Sequence, residues 1–235
     1  TGALVTSAIG GWAAGILADK YGRVRVLQWT VMWFTLFTFL SGFTNSFEQL
    51  FFTRAMQGFG FGGEWSVGAV LIAEMIQAKH RGKAVGLVQS SWAVGWGAAA
   101  IAFWAVYAVL PPEQAWRVLF WLGILPAFLI FYIRRNIKDP EVFQATQAKK
   151  KAEGGGNFWE IFSPRLLKTT ILASLLSTGM MGAYYAVTTW LPTFLKVERK
   201  LSVLGTSGYL LLLILGSLIS YLASALLSDN LGSRY

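Results

Sequence analysis

The segment MQGFGFGGEW contains the spacing G-x-G-x-x-G at Gly58, Gly60 and Gly63. In a dinucleotide-binding site such glycines follow a strand, open a helix that binds the pyrophosphate, and precede by about 20 residues an acid that binds the ribose. No acid occurs between Glu74 and Glu113, and the basic run KHRGK lies near the expected position. The motif therefore does not predict nucleotide chemistry, and its glycines need another explanation.

The same region contains two charged residues, Arg54 and Glu64, and the composition of the chain indicates what surrounds them. Of its 235 residues, 55% are hydrophobic and only 13% are charged, whereas soluble domains contain about 25% of charged residues. The mean hydropathy is positive. These values predict a membrane protein. Because the chain has no cysteine, disulfides, thiolate metal sites and cysteine nucleophiles are excluded within it.

Seven stretches predict membrane-crossing helices. Five of them are uncharged and long enough to cross a hydrocarbon core of about 30 Å, namely 1–18, 26–47, 84–112, 169–195 and 201–228. The other two are 49–73, which contains Arg54 and Glu64, and 118–133, which is short and uncharged. The stretch 1–18 lacks a basic n-region and a cleavage-site pattern, which favours a helix over a signal peptide. The sequence therefore predicts an all-α membrane protein.

The basic residues predict the orientation of these helices. Fifteen of the 20 Lys and Arg residues lie in the connections 19–25, 79–83, 134–168 and 229–235. The positive-inside rule places these connections in the cytoplasm, so the formal charge of +9 does not indicate a nucleic-acid partner. The connection 134–168 is charged and glycine-rich, which is typical of a hydrated linker. It separates a predicted N-terminal half, 1–133, from the start of a C-terminal half, 169–235.

A short motif occurs twice. GILADKYGRVR follows the first span and LLSDNLGSRY follows the last, so that Asp19, Gly22 and Arg23 have counterparts 210 residues later in Asp229 and Gly232 and, displaced by one position, in Arg234. Parallel repeats at the scale of half a protein are typical of secondary transporters. The sequence therefore predicts an internal duplication that the chain enters for a second time only at its end.

The motifs resemble those of the major facilitator superfamily. The stretch Gly15–Arg25 is similar to the loop signature between the second and third helices of that family, and Met56–Arg81 is similar to its fourth-helix signature. GGEW, EMIQAKHRGKA and WRVLFWLGILPA resemble the branch of metabolite and organic acid:proton symporters, which includes aromatic-acid and sialic-acid symporters. The resemblance implies a partial helical bundle, with helices two to eight of a twelve-helix inner-membrane protein that works by alternating access.

The resemblance also explains the glycines of the opening segment. Gly58 and Gly62 are four residues apart, so within one apolar helix they form a smooth row against which another backbone can pack. We expect helix packing from them rather than ligand binding.

Arg54 and Glu64 are the candidate proton-coupling residues. A charge inside a membrane is costly and usually functional. Ten residues of helix separate the two by about 15 Å, so they cannot pair with each other. In the families that the chain resembles, an arginine at the Arg54 position lies near an acid on the first helix. For Glu64 a hydrogen-bonded structural carboxyl remains the alternative.

Six residues are candidates for substrate binding. Gln89, Trp92 and Trp96 follow a helical i, i+3, i+7 row, and Gln89 matches by spacing a substrate-binding glutamine of sugar porters. The paired glutamines of the sugar branch are absent near Gly179 and Met180, which argues against a hexose. The seventh span instead offers the mixed aromatic and hydroxyl group Tyr184, Tyr185 and Thr188. Ordinary helix packing is the alternative for both groups.

The charges at the cytoplasmic helix ends are candidates for a gate. We expect Asp19 to pair with Arg23 or Arg25, and Glu74 to pair with Arg81. Ion pairs that form in one state of a transport cycle and break in the other would bias the populations of the two states. The full set of gate candidates is Asp19, Gly22, Arg23, Arg25, Glu74, Arg81, Asp229 and Arg234, with solvated surface charge as the alternative.

The predicted function is proton-coupled uptake of a small organic anion by a monomer in the lipid bilayer, without cofactor or metal. A sugar porter or a drug exporter of the same fold is the first alternative. The second is a seven-helix receptor or retinal protein, but no lysine lies within 201–228 to link retinal. No embedded Ser/His/Asp set suggests an enzyme.

Overall fold

The computed structural model describes residues 2–77, 80–137, 158–200 and 203–231, and every regular element within these ranges is helical. The α-helices are α1 (Gly2–Tyr21), α2 (Arg23–Ser41), α3 (Phe47–Met75), α4 (Arg81–Val109), α5 (Pro112–Leu122), α6 (Phe128–Asn136), α7 (Pro164–Val197) and α8 (Val203–Leu231). Short 3-10 turns occupy Leu125–Ala127 and Phe158–Phe162. The predicted all-α class is confirmed.

Five helical segments of the described residues are long and apolar enough to cross a membrane. They are Gly2–Tyr21, Arg23–Ser41, Gly82–Val109, Pro112–Asn136 and Pro164–Leu195. The fourth consists of α5, the 3-10 turn and α6, so the short predicted stretch 118–133 is the centre of a longer span. In α8 the apolar part is the shorter Leu212–Leu227. Helix α3 has 29 residues, enough for about 43 Å, but its glycines and charges lower its hydropathy.

A single residue connects α1 to α2. Gly22 has φ 103°, a left-handed conformation that side chains rarely adopt, and its N–H donates to the carbonyl of Ala18 at 3.1 Å. Because the turn is so short, Asp19 at the end of α1 and Arg23 at the start of α2 remain one helical turn apart. In the first copy of the repeated motif, the backbone conformation of the turn therefore explains why the residue is glycine.

Helices α1 and α3 are in backbone contact. A Cβ atom added to Gly62 would collide with the carbonyl of Ser7, and one added to Gly58 would collide with the carbonyl of Ala3. The hydroxyl of Thr6 donates to the carbonyl of Ala55 at 2.6 Å across the same interface. Small residues allow such close approach where both helices lie in a membrane. The packing role predicted for Gly58 and Gly62 is confirmed.

Gly60 and Gly63 of α3 face α2. A Cβ atom on Gly60 would lie 2.8 Å from the backbone nitrogen of Phe34, and one on Gly63 would lie 2.7 Å from Cγ2 of Thr30. The indole of Trp33 donates to the carbonyl of Met56 at 2.8 Å. Helix α3 therefore lies between α1 and α2, and its glycines serve both contacts. The buried core beside them consists of Ala14, Ala18, Val26 and Val67.

The chain divides into two compact units. The first comprises Thr1–Lys149 and Tyr221–Tyr235, and the second comprises Lys150–Ser220. Helices α1 to α6 belong to the first unit, and α7 belongs to the second. The candidate residues on α3, α4 and the α1–α2 turn therefore lie in the first unit, and those on α7 lie in the second.

Candidate functional site

Arg54 and Glu64 both lie on α3 and form no ion pair with each other or with any other described residue. Glu64 is half-buried, and its carboxylate has no hydrogen-bond partner in the described part of the chain. The structural alternative for Glu64, a hydrogen-bonded carboxyl, has no support among these residues. The proton-coupling role of Glu64 stays a prediction.

Arg54 is held by neutral groups. Its Nη1 atom donates to Oε1 of Gln57 at 2.5 Å, and its guanidinium carbon lies 5.7 Å from the ring centroid of Phe120 on α5. The aromatic ring face attracts the cation without neutralising its charge. Arg54 is exposed beyond these two contacts, so part of the guanidinium remains available to another partner.

Gln57 and Thr38 are site residues that the sequence reasoning missed. Gln57 is 9% exposed and donates through Nε2 to Oγ1 of Thr38 at 2.8 Å, while the Thr38 hydroxyl donates to the carbonyl of Phe34 at 2.7 Å. A second polar contact between the same helices joins Ser41 to Thr53 at 3.0 Å. The available signal was the i, i+3 spacing of Arg54 and Gln57 inside an otherwise apolar helix.

Arg117 in the middle of α5 binds the α2–α3 connection. Its Nη1 atom donates to the carbonyls of Gly42 at 2.9 Å and Thr44 at 2.8 Å, and its Nη2 atom donates to Oδ1 of Asn45 at 2.9 Å. The guanidinium carbon also lies 4.4 Å from the ring centroid of Trp116. Phe120 follows Arg117 by three residues on the same helix, so this anchor places the ring that contacts Arg54.

The predicted row on α4 belongs to an aromatic cluster with α3. The Trp92 and Trp96 rings have centroids 6.5 Å apart, and Trp92 lies 6.0 Å from Trp65 and 6.1 Å from Phe61. Phe61 and Trp65 were not predicted, although their i, i+4 spacing on either side of Glu64 places them on adjacent turns. Gln89, one turn before Trp92, is half-buried. The cluster offers ring faces and edges against which a planar ligand could stack.

The candidates of the second unit lie on α7. The rings of Tyr184 and Tyr185 are 5.6 Å apart in an edge-to-face arrangement. The hydroxyl of Thr188 donates to the carbonyl of Tyr184 at 2.8 Å within the helix. All three residues are half-buried in the structure. Their contribution to substrate binding stays a prediction.

The α1–α2 turn contains an ion-pair network. Arg23 binds Asp19 through Nη1 at 2.5 Å. It also binds both carboxylate oxygens of Glu74 on α3, through Nη2 at 3.1 Å and through Nε at 3.3 Å. Such two-pronged pairs combine strength with a fixed geometry. The three helices α1, α2 and α3 are thus tied at one end by one guanidinium.

For the other gate candidates, the structure describes only some of the side chains. Asp19 pairs with Arg23 and not with Arg25, which is exposed. Glu74 has Arg23 as its partner, whereas Arg81 was expected; Arg81 begins α4, but its side chain lies outside the described part. The side chain of Asp229 on α8 and the whole of Arg234 also lie outside it.

Comparison with known proteins shows the family of this chain. A family model described as Major Facilitator Superfamily matches residues 1–235, which is the whole chain. The chain belongs to the major facilitator superfamily. As a member of that superfamily it is an integral membrane protein, and the predicted partial helical bundle is confirmed.

Curated relatives within the superfamily are named as transporters, not as enzymes. The chain is 43% identical over 234 residues to the "Probable 4-methylmuconolactone transporter" of Cupriavidus pinatubonensis, covering 100% of this chain and 54% of that protein. It is 29% identical over 232 residues to the "Putative niacin/nicotinamide transporter NiaP" of Bacillus subtilis, covering 97% of this chain and 56% of that protein. The chain thus spans about half the length of these relatives.

A solved superfamily structure has the same fold. The proton:xylose symporter XylE, bound to 6-bromo-6-deoxy-D-glucose, aligns with a TM-score of 0.68 at 18% identity, covering 96% of this chain and 57% of that chain. At this identity the similarity concerns the arrangement of helices and not the substrate.

Proposed function

We propose that residues 1–235 are part of a secondary transporter that takes up a small organic acid together with protons by alternating access. The proposal rests mainly on α3, where Arg54 and Glu64 have no charged partner among the described residues. A charge near the centre of a membrane costs about 2.5 to 3.5 kcal/mol on insertion scales. Two such charges on one helix are most readily explained by the transport of an anion and a proton.

The relatives support the substrate class. Their names describe transport of 4-methylmuconolactone and of niacin or nicotinamide, which are small compounds that each contain a flat unsaturated ring. The Trp65, Trp92 and Trp96 cluster has the aromatic surface that such rings would contact. Gln89 could supply a hydrogen bond to a polar substituent. We assign Gln89, Trp92 and Trp96 to substrate binding on this basis. For the second unit, considered by itself, Tyr184, Tyr185 and Thr188 on α7 remain proposed substrate-binding residues.

We further propose a twelve-helix parent protein, in which 1–133 belong to the N-terminal half, 134–168 to a cytoplasmic linker and 169–235 to the start of the C-terminal half. This parent would be a monomer in the inner membrane. The basic connections support the orientation, and the length of the relatives supports the number of helices.

The substrate class can be tested by thermal unfolding of the purified parent. A ligand that binds only the folded protein stabilises it by about 2.7 kcal/mol at 100 times its Kd. We expect 4-methylmuconolactone, nicotinate or benzoate to raise the melting temperature, whereas xylose and glucose should not. A rise with the sugars alone would replace the organic-acid proposal by the sugar-porter alternative.

The Asp19–Arg23–Glu74 network is proposed as the cytoplasmic gate. Asp19→Asn should slow transport several-fold and leave the affinity for substrate within a few-fold of wild type, because Asp19 lies at the end of α1, away from the aromatic cluster. An exposed i, i+4 ion pair contributes only about 0.3 to 0.5 kcal/mol, so the fold should persist. Uptake rate and binding affinity of the parent are the quantities to measure.

Lys20→Gln is the matched control, since Lys20 follows Asp19 in the last turn of α1 but is exposed and forms no ion pair among the described residues. Its uptake rate should stay close to that of wild type. A gating role for Asp19 would be refuted if Asp19→Asn abolished substrate binding, or if the two variants slowed uptake equally.

A further inference from the structure

The three arginines that contact α2 and α3 differ in how their charge is satisfied. Arg23 is paired with the carboxylates of Asp19 and Glu74. Arg117 donates to three oxygen atoms of the α2–α3 connection. Arg54 has one hydrogen bond, to the neutral Oε1 atom of Gln57, and among the described residues it has no carboxylate. Neither Arg117 nor Arg54 has a carboxylate partner among the described residues, but Arg117 donates three hydrogen bonds and Arg54 only one. Of the three, Arg54 therefore has the most N–H groups left to bind an anion.

Gln57 fixes the guanidinium of Arg54 from one side. Its amide is bonded at both ends, accepting from Arg54 at 2.5 Å and donating to Thr38 at 2.8 Å, and it is almost completely buried. The amide cannot turn without losing one of these bonds. Phe120 contacts the guanidinium from α5, so two neutral contacts restrict where the remaining nitrogen atoms can point.

We propose that Gln57 is a positioning residue which, held by Thr38, directs the uncompensated charge of Arg54 toward a carboxylate. The choice of glutamine over glutamate at this position matters, because the two are nearly the same size and a glutamate would neutralise Arg54 from within α3. The carboxylate belongs either to the transported organic acid or to an acidic side chain outside residues 1–235. The inference rests on the functional role proposed above for Arg54.

The decisive variant is Gln57→Glu in the full-length parent, with melting temperature and ligand affinity as measurements. If the partner is a substrate carboxylate, the ligand-free variant melts higher than wild type, because the introduced carboxylate pairs with Arg54. Its affinity for nicotinate or 4-methylmuconolactone then falls by about 10-fold to 100-fold, the range expected for losing a hydrogen bond to a charged group. Its affinity for nicotinamide, which lacks the carboxylate, stays unchanged.

If the partner is an acidic side chain, the ligand-free Gln57→Glu variant melts lower at neutral pH, because two carboxylates then compete for one guanidinium. The deficit shrinks on acidification as one carboxylate becomes neutral, and substrate affinity changes little. A deficit caused only by losing the bond to Thr38 would persist at low pH and would count against the inference. Either of the first two patterns identifies the source of the carboxylate.

Thr38→Val is the second variant, since it removes the acceptor of the Gln57 amide without adding charge. It should lower the affinity for nicotinate or 4-methylmuconolactone by a few-fold if these carboxylates bind Arg54, and should leave this affinity nearly unchanged if an acidic side chain binds Arg54. The inference is overturned if Gln57→Glu leaves both the ligand-free melting temperature and the acid affinity at wild-type values. If the wild-type parent binds no organic acid, the proposed substrate class is refuted. The inference about Gln57 can still be tested in that case, because the ligand-free melting temperatures of the variants report on the partner of Arg54.

Discussion

Glu64→Gln in the full-length parent should abolish proton-driven accumulation of substrate while leaving exchange of substrate across the membrane measurable. The carboxylate is half-buried on α3 and has no partner among the described residues. In the proposed mechanism it takes up a proton on one side of the membrane and releases it on the other. A glutamine retains the size and hydrogen-bonding capacity of the protonated acid but cannot release a proton. The empty and loaded forms of the variant would interconvert without a proton flux.

The measurements are uptake against a gradient and counterflow exchange in liposomes with an imposed pH difference. Accumulation should fall to the level set by simple equilibration, and exchange should become insensitive to pH. Glu48→Gln is the matched control, because Glu48 is an exposed glutamate in the first turn of the same helix. It should accumulate substrate as wild type does.

Wild-type accumulation by the Glu64→Gln variant would contradict the proton-coupling role. Glu64 would then be a structural carboxyl, and the search for the coupling group would move to an acid near Arg54. Loss of both accumulation and exchange, together with a lower melting temperature, would also favour a structural role.

The helices and the α3 glycines could be predicted because their signals are local. Each of the seven predicted stretches overlaps a helix, or in the case of 118–133 the pair α5 and α6. These stretches could be recognised because the bilayer sets the length of a span and the composition can be read within one segment. The packing of Gly58 and Gly62 follows likewise from their spacing of four residues on one helix. The span formed by α5 and α6 is longer than the apolar stretch 118–133, since its charged ends lie outside that stretch.

The partners of the charged residues could not be predicted, because they come from distant parts of the chain. Glu74 binds Arg23, which is 51 residues away and is brought close by the packing of α2 on α3, and no local pattern indicated this partner. The predicted pair of Glu74 with Arg81 stays a prediction, because the side chain of Arg81 lies outside the described residues. Phe120 reaches Arg54 only through the docking of α5. The sequence shows which residue types are present to form such contacts. Which two residues meet depends on how the helices pack.

For the same reason, the aromatic cluster could be predicted only in part. Trp92 and Trp96 could be recognised because they lie on one face of one helix. Trp65 was missed because its partner is on the following helix, at 6.0 Å. A pattern within a helix predicts which face is special, but it does not predict which residues of the next helix meet that face.

The largest effect on stability is expected at Gly62. Gly62→Ala would place a methyl group against the carbonyl of Ser7, and neither backbone can move without separating α1 from α3. Separation would also break the hydrogen bond from Thr6 to Ala55 and open the core at Ala14 and Val67. Overpacking by a single methylene typically costs about 1 to 3 kcal/mol, and a clash with backbone should reach or exceed the upper end of that range.

Gly68→Ala supplies the comparison on the same helix, because a Cβ atom at Gly68 has no described heavy atom within 4 Å. Alanine is favoured over glycine inside a helix by about 0.5 to 1 kcal/mol, so this variant should melt at or above the wild-type temperature. Melting temperature and the fraction of monodisperse protein in detergent are to be compared for the two variants of the parent. Equal stability of Gly62→Ala and Gly68→Ala would mean that the backbones of α1 and α3 are further apart than the structure places them, and that the glycines of α3 are needed for something other than packing.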